Sequence, residues 1–169
     1  MRNKYLQKIV LTALFIALTI AIQMLGFPQP VTGPLVNCML LLSALFAGPI
    51  VGILVGLVTP WIAFLRGILA APLAPMIPFI MLSNGVYVLC FYLGRKLLGK
   101  KVLGSAVGII GGAAVKFLLL SGAVNFLVRV PDKIAKAMQF PQLLTAIAGG
   151  IIAVIAAELI ARAGRKEEF

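Results

Sequence analysis

The sequence predicts an all-α membrane protein, a compact bundle of six transmembrane helices with both termini on the cytoplasmic side. Three observations carry that prediction. Hydrophobic residues make up 62% of the 169 residues and mean hydropathy is +1.14, well beyond the roughly half-apolar make-up of a soluble domain. Most of the chain falls into apolar runs approaching the ~20 residues that cross a bilayer, separated by Pro/Gly clusters and charges. The basic residues gather at alternate breaks, as the positive-inside rule requires. A single integral membrane domain, residues 1–169, leaves no room for a soluble module.

Helices are expected near residues 9–27, 35–47, 49–69, 76–93, 102–128 and 142–161. The first follows a basic start and stops at Pro28; with no small-residue cleavage site before that proline, it reads as a retained helix rather than a signal peptide. The second is short, about 13 residues, and Gly48-Pro49 turns it tightly into the third. Those two could form a re-entrant pair, although six crossings are the simpler account. The fourth emerges from the proline-rich stretch AAPLAPMIP and ends at Arg95. Lys101 precedes the fifth and Arg129 follows it, while Pro141 opens the sixth and Arg162 closes it.

With the N-terminus inside, the cytoplasmic face receives ten basic residues: Arg2, Lys4, Lys8, Arg95, Lys96, Lys100, Lys101, Arg162, Arg165 and Lys166. The outer face receives four, Arg66, Arg129, Lys133 and Lys136, and Lys116 is left within a span. This bias places both termini in the cytoplasm. The outer connections, Gly26 to Pro34, Ala70 to Pro78 and Val130 to Pro141, are rich in proline, which stiffens a loop. They either form the lid of an outward pocket or simply end helices.

Composition excludes several functions. A formal charge of +11 would suggest nucleic acid in a soluble protein, but here the charges cap apolar runs and no basic–aromatic interleaving accompanies them. Lipid bilayer, not nucleic acid, is the implied surroundings. With no histidine and four acids, no metal site is expected. Cys38 and Cys90 lie inside apolar segments and read as small hydrophobes. Paired carboxylates, nucleophile–base pairs and a GxxxxGK phosphate loop are all missing, so the chain is not expected to be an enzyme or to hydrolyse ATP.

Small residues recur every fourth position on several helices: Ala13, Ala17 and Ala21; Gly48, Gly52 and Gly56; Gly104, Gly108 and Gly112; Gly149, Ala153, Ala157 and Ala161. A four-residue step turns a helix by about 40°, so each set forms one stripe that lets another helix come close. The glycine stripes read as internal packing. The alanine stripe, lacking glycine, suits either internal packing or a smoother docking face for a partner.

Lys116 lies about 14 residues, roughly 21 Å, into the fifth helix. A lysine at that depth costs at least ~2.5 kcal/mol unless it snorkels, pairs or meets water. It continues the Gly104–Gly108–Gly112 stripe by one step, which points it into the bundle. Either a ligand or water-filled site or a salt bridge would hold it; Glu158, the one intramembrane acid, is better placed to pair with Arg162 at i+4. On the fourth helix Asn84 and Tyr87 share a face that can offer an amide and an aromatic surface to a ring, or bond to another helix. Asn125 falls half a turn away from Lys116 and is a weaker candidate unless Gly122 bends the helix. Gln29, Thr32, Asn37 and Arg66 cluster near the outer mouth as site, lid or surface.

The chain resembles the substrate-binding S components of energy-coupling factor transporters, which import vitamins and their precursors in prokaryotes. The likeness rests on the small six-span layout, on Ala13-Ala17-Ala21 as the family's AxxxA docking motif, and on the segments QPVTGPLVN and LVTPWIAFLRGILAAPLAPMIPFIMLSN. It implies a prokaryotic cell-membrane protein that captures substrate from outside in a pocket of helices four to six and the outer loops. It also implies a coupling transmembrane subunit and two cytoplasmic ATPases as partners, with ATP hydrolysed there and no cofactor on this chain. Asn84, Tyr87 and Lys116 become pocket candidates, and Gln29 and Thr32 lid candidates. The lack of an outer carboxylate apart from Asp132 argues against a cationic substrate and for an anionic or polar neutral heterocycle. A self-contained channel or facilitator acting as an oligomer is the alternative.

Overall fold

The computed structural model describes residues 4–99 and 102–166. Arg2, Lys100 and Lys101 lie outside the described residues, as do the side chains of Lys4, Arg165 and Lys166. The described chain is helical, without strands. Helices α1 (Lys4–Met24), α2 (Gln29–Ala47) and α3 (Pro49–Leu65) lead through a 3-10 turn, Ala71–Met76, into α4 (Ile77–Leu97). Helix α5 (Val102–Gly122) runs on into a π-helical turn, Ala123–Leu127; the short α6 (Asp132–Ala137) then precedes α7 (Phe140–Lys166).

Five helical stretches are long and apolar enough to cross a bilayer: Tyr5–Met24, Gln29–Ala47, Ala71–Leu97, Val102–Leu127 and Asp132–Ala163. The sixth, Pro49–Leu65, has 17 residues, at the lower limit for a span. The protein is thus a multi-pass membrane protein whose shortest apolar helix is α3, not α2 as the sequence alone suggests. Two local features explain the exchange of lengths. Helix α2 begins at Gln29 rather than near residue 35, because Pro30 sits in the first turn, where its missing N–H is not needed and its φ is already helical. The chain even stays helical through Pro34. Helix α3 stops at Leu65 rather than near residue 69, because Gly67 adopts φ +72° and the amides of Ile68 and Leu69 both turn back onto the Ala63 carbonyl.

Helix α2 is the centre of the bundle, packing on α1, α3, α4 and α7, while α5 packs on α4 and α7. Gly48, at φ +100°, makes the α2–α3 turn that no side-chain-bearing residue would readily adopt. Close helix approach follows from the glycine stripes. A Cβ on Gly108 would stand 2.8 Å from the Phe91 Cα, and one on Gly112 2.9 Å from the Tyr87 ring, so the α5 stripe is the seam against α4. A second seam joins Gly52 and Gly56 of α3 to α2 and α4.

Helix α1 is the peripheral one, touching chiefly α2 and α3. Its Phe15 and Thr19 are buried against the bundle. The main apolar core runs through Leu40, Leu41, Val55, Tyr87, Val88 and Phe91. A smaller one, of Leu73, Met76, Leu120, Ala123 and Met138, lies at the end of the bundle holding the 3-10 turn and α6.

Candidate functional site

At that end, a cavity of about 130 Å³ opens between the starts of α2, α4 and α7 and the ends of α1, α3 and the apolar part of α5. Its volume suits about four waters, or a small ring in their place. Lys116 is 3% exposed, and its ammonium donates to Asn37 Oδ1 and Asn84 Oδ1, both at 2.7 Å. The same Nζ stands 5.6 Å from the centre of the Tyr87 ring, within cation–π range. Among the described residues no carboxylate reaches it: Glu158 pairs with Arg162 at 2.5 Å, and Asp132 lines a different cleft. The ammonium is therefore held by neutral oxygens and a ring face, not by a counter-charge.

The two asparagines are themselves fixed by backbone. Asn37 Nδ2 donates to the Gly33 carbonyl at 2.9 Å, and Asn84 Nδ2 donates to the Gly56 carbonyl at 3.2 Å. The second bond has a sequence cause. Pro60 lies inside α3 and has no N–H, so the carbonyl four residues earlier, that of Gly56, has no helical donor. In a membrane such a carbonyl must find another partner. Asn84 supplies it, and the missing Cβ of Gly56 lets Asn84 come near enough. With its NH2 spent there, the amide can only turn its oxygen toward Lys116.

The structure brings most of the sequence candidates together. Gln29, Thr32, Asn37, Asn84 and Lys116 line the cavity. Gln29 and Thr32 do so from helix α2, not from a loop, and Thr32 bonds back to the Phe27 carbonyl at 2.8 Å. Tyr87 is fully buried beside Lys116, outside the lining, with its hydroxyl donating to the Ala146 carbonyl at 2.7 Å. Two candidates stand apart. Arg66 is exposed at the end of α3. Asn125 sits in the π-helical turn, accepts from Gln139 at 3.3 Å, and lines a separate cleft with Arg129, Asp132 and Lys136. The extra residue of the π turn does not bring Asn125 round to the cavity.

Gln23 and Gln142 also line the cavity, as do Thr59 and Met138. Gln23 is the notable addition, because its Oε1 is buried without a hydrogen-bond partner. A signal for it exists in the sequence: Phe15, Thr19 and Gln23 recur every fourth residue, about 200° round the helix from Ala13, Ala17 and Ala21. If one stripe faces outward, the other faces the bundle. Ala13, Ala17 and Ala21 are indeed exposed, on the side of α1 turned away from α2 and α3.

The lining offers one cation, amides and hydroxyls over an apolar wall, a set suited to holding a small polar molecule. No cluster of three potential metal ligands occurs among the described residues, and both cysteines are free thiols. Lys8, Arg95, Lys96 and Arg162 lie at the other end of the bundle, at the start of α1 and the ends of α4 and α7, whereas Arg66, Arg129, Lys133 and Lys136 lie at the cavity end, outside its lining. A family model described as ECF transporter, substrate-specific component, matches residues 7–161. No curated protein and no solved structure matches the chain.

Proposed function

The chain belongs to the family of substrate-specific components of ECF transporters, and from that premise we propose that it captures a small vitamin or vitamin precursor, an anionic or polar neutral heterocycle, in the Lys116 cavity. It is a membrane substrate-binding subunit rather than an enzyme. The observation that carries the proposal is the buried ammonium on two backbone-locked asparagines, opening into a cavity at one end of the bundle. The basic ends of α1, α4 and α7 lie at the opposite end, and the positive-inside rule assigns that end to the cytoplasm of a prokaryotic cell. The cavity then faces the outside, and both termini lie inside.

A chain without a phosphate loop needs partners to drive import: a coupling transmembrane subunit and two cytoplasmic ATPases, which supply the ATP chemistry. The peripheral position of α1 and the exposure of Ala13, Ala17 and Ala21 support that face as the seat of the coupling subunit. One compound from a vitamin panel should raise the melting temperature of the detergent-solubilised protein, since a ligand bound only to the folded state stabilises it. Ala17→Glu should abolish transport and co-purification with the coupling subunit while leaving ligand binding intact. Silence across a broad panel, together with no coupling complex in co-purification, would overturn the proposal, and solute flux through liposomes holding this chain alone would replace it with a facilitator.

A further inference from the structure

Resting on the reading of this cavity as the substrate site, we propose that its ligand is a compact monoanion, a carboxylic acid without phosphate, seated on the remaining hydrogen of the Lys116 ammonium. An ammonium has three N–H donors. Two are taken by Asn37 and Asn84, and neither asparagine can rotate to offer its NH2 to a ligand without abandoning a backbone carbonyl. One donor is left, enough for a single acceptor oxygen.

Charge narrows the choice further. Among the described residues Lys116 is the only charged side chain in the cavity lining; Arg66, Arg129, Lys133 and Lys136 all lie outside it. A neutral ligand leaves the buried cation uncompensated. A phosphate monoester brings close to two negative charges and leaves one of them unpaired in an apolar wall, which is costly. A monoanion alone closes the site at net zero. A carboxylate is the common organic monoanion whose oxygen meets an ammonium at charge-assisted hydrogen-bond distance.

A cavity of about 130 Å³ confines the body to a single ring or a short chain. The ligand is thus a small acid.

The test is a set of melting titrations on the full-length protein in detergent with matched pairs: acetate and acetamide, benzoate and benzamide, nicotinate and nicotinamide, pantothenate and panthenol. Inorganic phosphate is titrated alongside. At least one acid is expected to bind tenfold or more tightly than its neutral twin, phosphate to have no effect, and the preference to vanish in Lys116→Met. Asn37→Asp, which neutralises Lys116 from within the protein, should erase the preference as well. The proposal is overturned if no acid outbinds its twin, if phosphate binds as well as the best acid, or if either variant keeps the preference. The comparison of acids with neutral twins on the unaltered protein decides the matter even where a variant does not fold. A neutral vitamin that binds tightly would refute this inference and leave the proposed function standing.

Discussion

Gly56→Ala tests the link between helix packing and the Lys116 site. A methyl at residue 56 would stand 2.9 Å from Asn84 Cβ, 3.4 Å from Leu40 Cδ2 and 3.5 Å from the Asn84 carbonyl carbon. Leu40 can rotate its terminal methyl away, but Asn84 Cβ is fixed to the α4 backbone. Restoring ordinary contact requires α3 and α4 to part by roughly 0.7 Å, an overpacking cost of about 1–3 kcal/mol. The Asn84 Nδ2 to Gly56 O bond is already 3.2 Å long, and that displacement breaks it. Because Pro60 offers no replacement donor, the buried carbonyl is orphaned at a further cost of about 1–3 kcal/mol. Alanine returns only about 0.5–1 kcal/mol of helix preference over glycine. The net loss is about 1–5 kcal/mol, a fall in melting temperature of order 10 °C for a chain of this size. Gly111→Ala on α5, where an added Cβ meets nothing within 4 Å, gains the same helix preference without the clash and should melt at or slightly above the parent. The assay is thermal melting of both variants in one detergent, with ligand affinity measured in parallel. If Gly56→Ala melts within a degree of the parent, the α3–α4 seam does not hold Asn84 in place and the reasoning fails.

Pro60→Ala should act in opposite directions on stability and binding: the new N–H bonds to Gly56 O and steadies α3, while the Asn84 amide loses its anchor and ligand affinity falls, as melting and titration of one preparation would reveal. Tyr87→Phe removes the bond to the Ala146 carbonyl and should cost about 1 kcal/mol of stability, yet keep the ring face beside Lys116 and with it most of the affinity. Glu158→Gln breaks a pair whose side chains are 61–69% exposed and should move the melting temperature by less than about 2 °C, as exposed i,i+4 pairs contribute little; a larger drop would mean the pair is shielded within the assembled membrane protein.

Long-period features of the chain are legible in the sequence. The number of apolar runs, the inward direction of Lys116 and the packing role of the glycines all follow from a spacing of three to four residues, because a helix repeats its faces at that interval. What escaped is of two kinds. Helix ends at prolines are ambiguous, since Pro30 starts a helix by the same chemistry that would let it end one, and so the sequence predicts a short α2 with Gln29 and Thr32 in the loop before it. Partnerships across the bundle leave no local trace either. Asn37 and Lys116 are 79 residues apart, and nothing in the sequence around either names the other. Gln23 shares a helix with the alanine stripe, and its spacing from Phe15 and Thr19 marks the opposite face.

These pieces join at Pro60. In water a proline inside a helix exposes a carbonyl to solvent at modest consequence; within a bilayer that carbonyl has only protein to turn to. Here the freed Gly56 oxygen is what orients Asn84, and Asn84 is half of what orients Lys116. The helix-breaking residue and the helix-weakening residue four positions before it thus create a fixed polar contact inside an apolar seam. A lysine held this way has a third N–H beyond the two that the asparagines take, and no carboxylate among the described residues neutralises it; on the proposed reading, the ligand completes the site.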